Sequence, residues 1–126
     1  MPPGHVFAVG ASGVVAEKTG AAREKYNTAS QLASALGELW RRETGRDDPH
    51  LAAALGSAPD AARRLKSLLQ TADPGPFDRA ALAARLDHFM IESGEIIPEV
   101  DDALAGGDLR ALGRLVDRSQ QAAERL

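Results

Sequence analysis

Two side chains that could do proton or metal chemistry stand four residues apart, at His88 and Glu92. On a helix this spacing places an imidazole and a carboxylate on one face, where they could act as metal ligands or as an acid and a base. A catalytic zinc needs three protein ligands, and the sequence has neither an HExxH motif nor a second histidine pair. The spacing therefore favours a solvated helical pair.

A second stretch superficially resembles a phosphate-binding loop. It runs from Gly10-Ala-Ser-Gly13 to Glu17-Lys18-Thr19. A phosphate loop needs four residues between its glycines and close backbone approach to the anion, but here the glycines are too close and a carboxylate precedes Lys18. The stretch is predicted to be a turn.

The other histidines and the paired aspartates have structural or surface interpretations. His5 stands at a strand start, His50 in a first helical turn, Asp47 and Asp48 at a helix cap, and Asp101 and Asp102 on a solvated face. The chain has no Cys, which excludes disulfides, thiol catalysis and thiolate metal sites. No catalytic residue is predicted.

Tyr26 is the only tyrosine of the chain, and Asn27 beside it offers both a donor and an acceptor. Both residues belong to an amphipathic pattern that predicts a helix. A single aromatic on an apolar helical stripe is commonly part of the core, so the pattern alone favours packing for Tyr26.

The elements that must position these residues are mostly helices. A short apolar run at residues 5–9, followed by a glycine turn, predicts a strand or a hairpin over residues 5–16; either the hairpin forms or the strand's partner is missing. Apolar residues at three- and four-residue steps predict a helix over residues 20–44 that ends at Gly45. Asp48-Pro49 and a capping box from Ser57 to Asp60 predict short helices at 49–55 and 58–70.

A long helix is predicted over residues 77–105, closed by Gly106 and Gly107. Pro98 cannot donate to the carbonyl of Gly94, so a kink is expected around Ser93 and Gly94. Asp108 is predicted to cap a final helix over 108–125. Its apolar stripe comprises Leu109, Leu112, Leu115, Val116, Ala122 and Ala123.

Composition fits one mainly α domain. The 126 residues are 44% hydrophobic and 26% charged, and only five are aromatic, so the core is expected to consist of aliphatic side chains. The net charge of -3 and its mixed signs argue against a nucleic-acid partner. The N-terminus has no basic region before its short apolar run, and no 18-residue apolar stretch follows. We therefore expect a cytoplasmic protein without membrane contact.

Two segments resemble the galactokinase-like members of the GHMP small-molecule kinases. They are ASGVVAEKTGAAREKYN at residues 11–27 and the block from residue 77 to 126. Within that block, ALAGGDLRALGRLVDRSQ is similar to a family stretch in which a helix ends at a Gly-Asp turn and a further helix follows. Gly113 and Ser119 are in register with that stretch.

The resemblance implies that residues 1–126 are a helical bundle of about five helices, part of the α+β C-terminal domain of a GHMP kinase. The family uses ATP and Mg²⁺ to phosphorylate a sugar hydroxyl, so these cofactors and a sugar substrate are expected for the parent protein. The family's Gly-Leu-Ser-Ser-Ser phosphate loop is not found here, and its Gly-rich third motif would follow Leu126. The chain alone is therefore expected to be inactive.

The resemblance also implies a substrate-binding pair. In galactokinases a Tyr-Asn pair at this helix start contacts the sugar, and Tyr26-Asn27 matches it. Sugar contact thereby becomes an equal alternative to core packing for Tyr26. Arginines usually follow in the family where Ala29 and Ser30 stand here, which puts galactose itself in question as the substrate.

Two functions follow from the sequence. The first is a fragment of an ATP-dependent sugar kinase. The alternative is a stand-alone helical module that binds a partner or itself without catalysis. Either version is expected to expose apolar surface that could pair two copies as a homodimer.

Overall fold

The computed structural model describes residues 21–124 and the isolated positions Gly4, Val6, Ala8 and Gly13, with helical side chains described from residue 27 onward. The predicted strand or hairpin at 5–16 and the glycine turn within it lie outside the described residues, apart from those isolated positions. His5 also lies outside them.

The described chain is mainly helical, which confirms the predicted class. Five helical segments follow one another, and the fourth is a single long helix interrupted by a π turn. The elements are α1 (Ala21–Thr44), α2 (Leu51–Gly56), α3 (Ala61–Thr71), α4 (Arg79–Ile91), the π turn (Glu92–Ile96), α5 (Ile97–Gly106) and α6 (Leu109–Ala123).

The main core lies between α1, α2, α3 and α4. The predicted stripe of α1 supplies its largest members, since Leu36 and Trp40 are fully buried and Leu39 is nearly so. The other helices contribute aliphatic side chains, as the composition led us to expect. The buried cluster comprises Leu32, Leu36, Leu39, Trp40, Leu51, Ala54, Ala61, Leu65, Leu69, Leu82 and Leu86.

Helix α1 ends where the sequence predicts. Gly45 follows its last residue with φ of 69°, a left-handed conformation that glycine adopts without steric cost, and its amide donates to Arg41 O at 2.9 Å. The carboxylate of Asp48 then accepts from the indole Nε1 of Trp40 at 2.8 Å and from Arg46 at 2.7 Å. The polar atom of the buried indole is thereby satisfied.

The predicted caps of α2 and α3 are wrong. Asp48 is occupied by Trp40 and Arg46, so α2 begins at Leu51 and is capped by His50, whose Nδ1 accepts from Ala53 N at 3.1 Å. Ser57 donates instead to Ala54 O at 2.7 Å, at the end of α2. Helix α3 therefore begins at Ala61 without a side-chain cap, later than expected.

The π turn lies at the site of the predicted kink. The amide of Ile97 donates to the carbonyl of Glu92, five residues back rather than four. Pro98 follows directly and has neither an amide hydrogen nor room for a regular carbonyl at Gly94. The wider turn accommodates the proline while the helix continues into α5.

Helices α5 and α6 form a hairpin with a small core of its own. Gly107 has φ of 69°, and Asp108 caps α6 by accepting from the amides of Arg110 and Ala111. This confirms the predicted Gly-Gly-Asp turn. Only Ile96, Ala103 and Leu115 are buried in the hairpin's cluster.

The predicted apolar stripe of α6 is only partly buried. Leu115 and Ala122 are buried, but Leu109 is 38% exposed and Val116 is 60% exposed. On α5, Ile97 and Leu104 are also more than half exposed. The periodicity was sufficient to identify the helix, but no described element packs over this side of the hairpin.

Candidate functional site

The polar residues with the most connected geometry lie on the second half of α4. Arg85, His88 and Glu92 recur at three- and four-residue steps and therefore share one face of the helix. Arg85 donates from Nε to the carbonyl of Ala29 in α1 at 3.0 Å, and its Nη1 lies 3.0 Å from His88 Nδ1. Its guanidinium also lies over the ring of Phe89, 5.5 Å from the centroid.

The contact between Arg85 and His88 fixes the role of each ring nitrogen. A guanidinium has only donors, so His88 Nδ1 must accept, and a neutral imidazole then carries its proton on Nε2. Nε2 lies 4.0 Å from Glu92 Oε1, beyond direct hydrogen-bond distance. That oxygen is buried and has no hydrogen-bond partner among the residues that the structure describes.

The predicted solvated pair at His88 and Glu92 is wrong with respect to solvation. The two side chains are only 17% and 25% exposed, and α1 packs on α4. Burial lowers the pKa of Arg85 from its ordinary value, and the negative charge of Glu92 partly opposes that shift. The group is thus a partly buried polar cluster that ties α4 to α1.

Sequence reasoning missed Arg85, although the signal was present. An arginine three residues before His88 and seven before Glu92 is on the same face of any helix. What the spacing could not give is the acceptor, since Ala29 O is 56 residues away in sequence. Arg85, His88 and Glu92 together form one unit, the Arg85 cluster.

The Arg85 cluster does not have the composition of a metal centre. A cation would face the guanidinium, and only one imidazole and one carboxylate are available. Within residues 21–124, no three His, Asp or Glu side chains are grouped so that they could hold a metal ion. The Arg85 cluster can orient polar groups and hold one tautomer of His88. Both are positioning roles.

Open clefts lie on both sides of α4. One, of about 510 Å³, is bordered by His88, Ile91 and Ala122, and by Lys66 and Asp87, which form an ion pair at 2.6 Å. The other, of about 400 Å³, follows α1 toward the start of α2. Its lining includes Ser30, Ser34, Gly37, Arg41, His50 and Phe89.

The predicted substrate pair lies in the second turn of α1. The helix begins at Ala21, and the backbone of both Tyr26 and Asn27 is helical. Asn27 is exposed and shares a helix face with Ser30 and Ser34, which border the second cleft. The side chain of Tyr26 lies outside the described residues.

The remaining polar candidates are not assembled into a site. Asp47, Asp101 and Asp102 are exposed, and His50 caps α2. The stretch from residue 10 to 19 that resembles a phosphate loop lies outside the described residues, apart from Gly13. None of the described helices is long and apolar enough to cross a bilayer.

Comparisons with known proteins add no relative. No protein-family model matches the chain, and neither a curated protein nor a solved structure matches it.

Proposed function

We propose that this chain is the helical portion of an ATP-dependent sugar kinase of the galactokinase-like GHMP type, inactive in phosphoryl transfer by itself. The observation that carries the proposal is the hairpin of α5 and α6. The stretch with the strongest family resemblance ends a helix at Gly106, turns through Gly107 and begins a new helix behind Asp108. This is the arrangement that the resemblance implies for the segment.

The exposure of Asn27 also supports the proposal. A sugar-binding residue must reach solvent or a cleft, and Asn27 is exposed on the face of α1 that borders the second cleft. Hydroxyls of Ser30 and Ser34 lie along the same face. Such groups can donate to and accept from sugar hydroxyls.

The first experiment offers the chain ATP, Mg²⁺ and a panel of hexoses, with a protein-free reaction as control. We expect no phosphorylated sugar above the control, because the groups that cradle the β and γ phosphates are not found in the sequence. Turnover on the order of 1 s⁻¹, as kinases show, would mean that the catalytic parts are not missing.

The second experiment tests the substrate pair by titrating the same sugars against ¹⁵N-labelled chain. We expect shifts centred on the amides of Tyr26 and Asn27, and their loss in Asn27→Ala. Gln31→Ala is the matched control, since Gln31 is exposed one turn further along α1. Shifts that are absent from α1, or that survive Asn27→Ala and vanish in Gln31→Ala, would argue against the pair.

A second candidate function is self-association without catalysis. The exposed apolar residues of the hairpin favour it. Ile97 and Leu104 are seven residues apart on α5, and Leu109 and Val116 are seven apart on α6, so each pair lies on one helix face. Apolar patches beyond a few hundred Å² commonly mark association sites.

Its test is the mass of the chain in sedimentation equilibrium. A second copy seated on this face predicts a dimer that Val116→Lys converts to monomer. Gln121→Lys, an equally charged change at an exposed residue of α6 that lies off this face, should leave the dimer intact. A monomeric wild-type chain at micromolar concentration would contradict self-association.

A further inference from the structure

Residues 27–31 of α1 are mostly exposed. Among residues 27–44, the part of α1 whose side chains the structure describes, the first buried apolar side chain is Leu32, and Asn27, Ser30 and Gln31 are exposed. A helical stretch without a buried apolar face depends on tertiary contacts to hold its position, because short isolated helices are marginal in water. One tertiary contact of this stretch is the hydrogen bond from Arg85 Nε to Ala29 O, at 3.0 Å.

Arg85 is well placed to act as a fixed anchor. Its guanidinium donates to His88 Nδ1 and lies over the ring of Phe89, so the guanidinium is held by two contacts. Each of these contacts comes from α4 itself, which packs on the main core through Leu82 and Leu86. The hydrogen bond from Arg85 therefore connects Ala29 to the helix that packs on the main core.

Asn27 stands two residues before Ala29, which is a rise of about 3 Å along a helix. A bond at Ala29 O thus holds the turn that carries the substrate pair. We infer that Arg85 is a positioning residue for Tyr26 and Asn27: it clamps α1 to α4 at Ala29 and so sets where the sugar-facing turn lies. This inference rests on the proposed function.

His88 has a defined part in this clamp. Its Nδ1 accepts from Arg85 and holds the guanidinium in the orientation that leaves Nε directed at Ala29. An asparagine can place an acceptor near the position of Nδ1, whereas leucine cannot. His88→Asn should therefore keep more of the clamp than His88→Leu.

The test compares Arg85→Met with Arg85→Lys in the full chain. Methionine keeps an unbranched apolar side chain but removes every donor, while lysine can restore one donor to Ala29 O. Arg79→Met is the matched control, because Arg79 also donates to backbone carbonyls, those of Leu69 and Ala72, at the opposite end of α4.

The first readout is amide hydrogen exchange by residue. We expect Arg85→Met to accelerate exchange at residues 27–33 by about 10- to 100-fold, the range for losing a hydrogen bond to a charged group, with Arg85→Lys in between. Arg79→Met should instead affect the end of α3. Unchanged exchange at 27–33, or equal acceleration in every helix, overturns the clamp.

The second readout is the sugar titration at the amides of Tyr26 and Asn27. Arg85→Met should weaken the apparent affinity at least tenfold, and Arg85→Lys should recover part of it. If wild type responds to sugar and Arg85→Met responds equally, Arg85 does not position the pair. If wild type itself does not respond, the proposed function fails and the sugar role of Arg85 fails with it, while the exchange data still judge the clamp.

Discussion

Some residues of this chain have structural roles that their residue type alone does not reveal. Asp48 accepts from the indole of buried Trp40 and from the guanidinium of Arg46. The hydrogen bond from Arg46, followed by that from Trp40, holds the pKa of the Asp48 carboxyl below its ordinary value of 3.8. Asp48 thereby links the end of α1 to the loop that leads into α2.

This geometry predicts a pH-dependent contribution to stability. Because the folded-state pKa of Asp48 is lowered, its contribution is present above pH 3.8 and is lost as the pH falls through the folded value. Asp48→Asn should unfold at lower urea concentration than wild type at pH 7. The difference should shrink as the pH drops below 3.8.

Asp47→Asn is the control for this prediction, since Asp47 is the exposed neighbour. Asp47→Asn should unfold at the same urea concentration as wild type, both at pH 7 and below pH 3.8. A gap between wild type and Asp48→Asn that is equally large at pH 7 and well below pH 3.8 would contradict the account of Asp48.

Sequence reasoning identified Asp48 as a cap because Asp-Pro commonly starts a helix. It could not see that a tryptophan eight residues earlier takes the carboxylate, since that choice depends on burial of the indole. The same limit applies to Arg85, whose acceptor is a backbone carbonyl from a distant helix. Caps within a short stretch, such as Asp108, were predictable because their partners are local.

Two glycines of the hairpin formed by α5 and α6 have different backbone conformations. Gly107 has φ of 69°, whereas Gly113 lies in the interior of α6 with ordinary helical geometry. A Cβ added at either position meets no atom within 4 Å. The two sites therefore differ in backbone conformation and not in available space.

Alanine substitution at the two glycines should have opposite effects. Gly113→Ala should stabilise the chain by about 0.5–1 kcal/mol, because alanine loses less backbone entropy in a helix. Gly107→Ala should destabilise it by about 1–2 kcal/mol, because an L residue there is strained. Urea unfolding of both variants gives the signs directly, and loss of stability in Gly113→Ala would show that α6 needs this glycine to fold.

The π turn leads to a second prediction for the long helix. A π turn holds one residue more than the α-helical path, so deletion of Gly94 should keep both flanks in α-helical register, although Pro98 then crowds the carbonyl of the preceding turn. Deletion of Ala83, which is exposed in the regular part of α4, rotates every residue that follows. Thermal unfolding should show the smaller loss of stability for the Gly94 deletion; the reverse order would contradict this interpretation.

The helices were predictable from apolar periodicity, but the extent of their burial was not. The pattern in α1 repeats over the whole core-facing side, and the structure buries it from Leu32 to Trp40. The pattern in α6 is equally regular, yet Val116 is exposed. Periodicity reports which face is apolar, and only tertiary packing decides whether another element covers that face.

The whole molecule consists of a larger and a smaller core. The main cluster joins α1 to α4 and contains Trp40, while the hairpin cluster buries only Ile96, Ala103 and Leu115. Helix α6 packs mainly on α5, the π turn and the end of α4. The hairpin should therefore be the less stable part, since it buries less apolar surface.

Two optical probes distinguish the parts. Trp40 is the only tryptophan, so its fluorescence reports the main core, whereas far-ultraviolet circular dichroism reports all helices. We expect the dichroism signal to begin to fall at lower urea concentration than the fluorescence signal changes. Coincident transitions would indicate a single cooperative unit and contradict a separately unfolding hairpin.

If these helices belong to a sugar kinase, as we propose, its phosphate-binding parts should be encoded beside them. Sequencing the coding region on both sides in the same reading frame tests it most directly. The kinase proposal predicts a Gly-Ser-rich phosphate loop upstream of Met1 and a Gly-rich motif downstream of Leu126. A frame closed by stop codons on both sides, with neither motif nearby, would contradict the kinase proposal and favour the self-associating module.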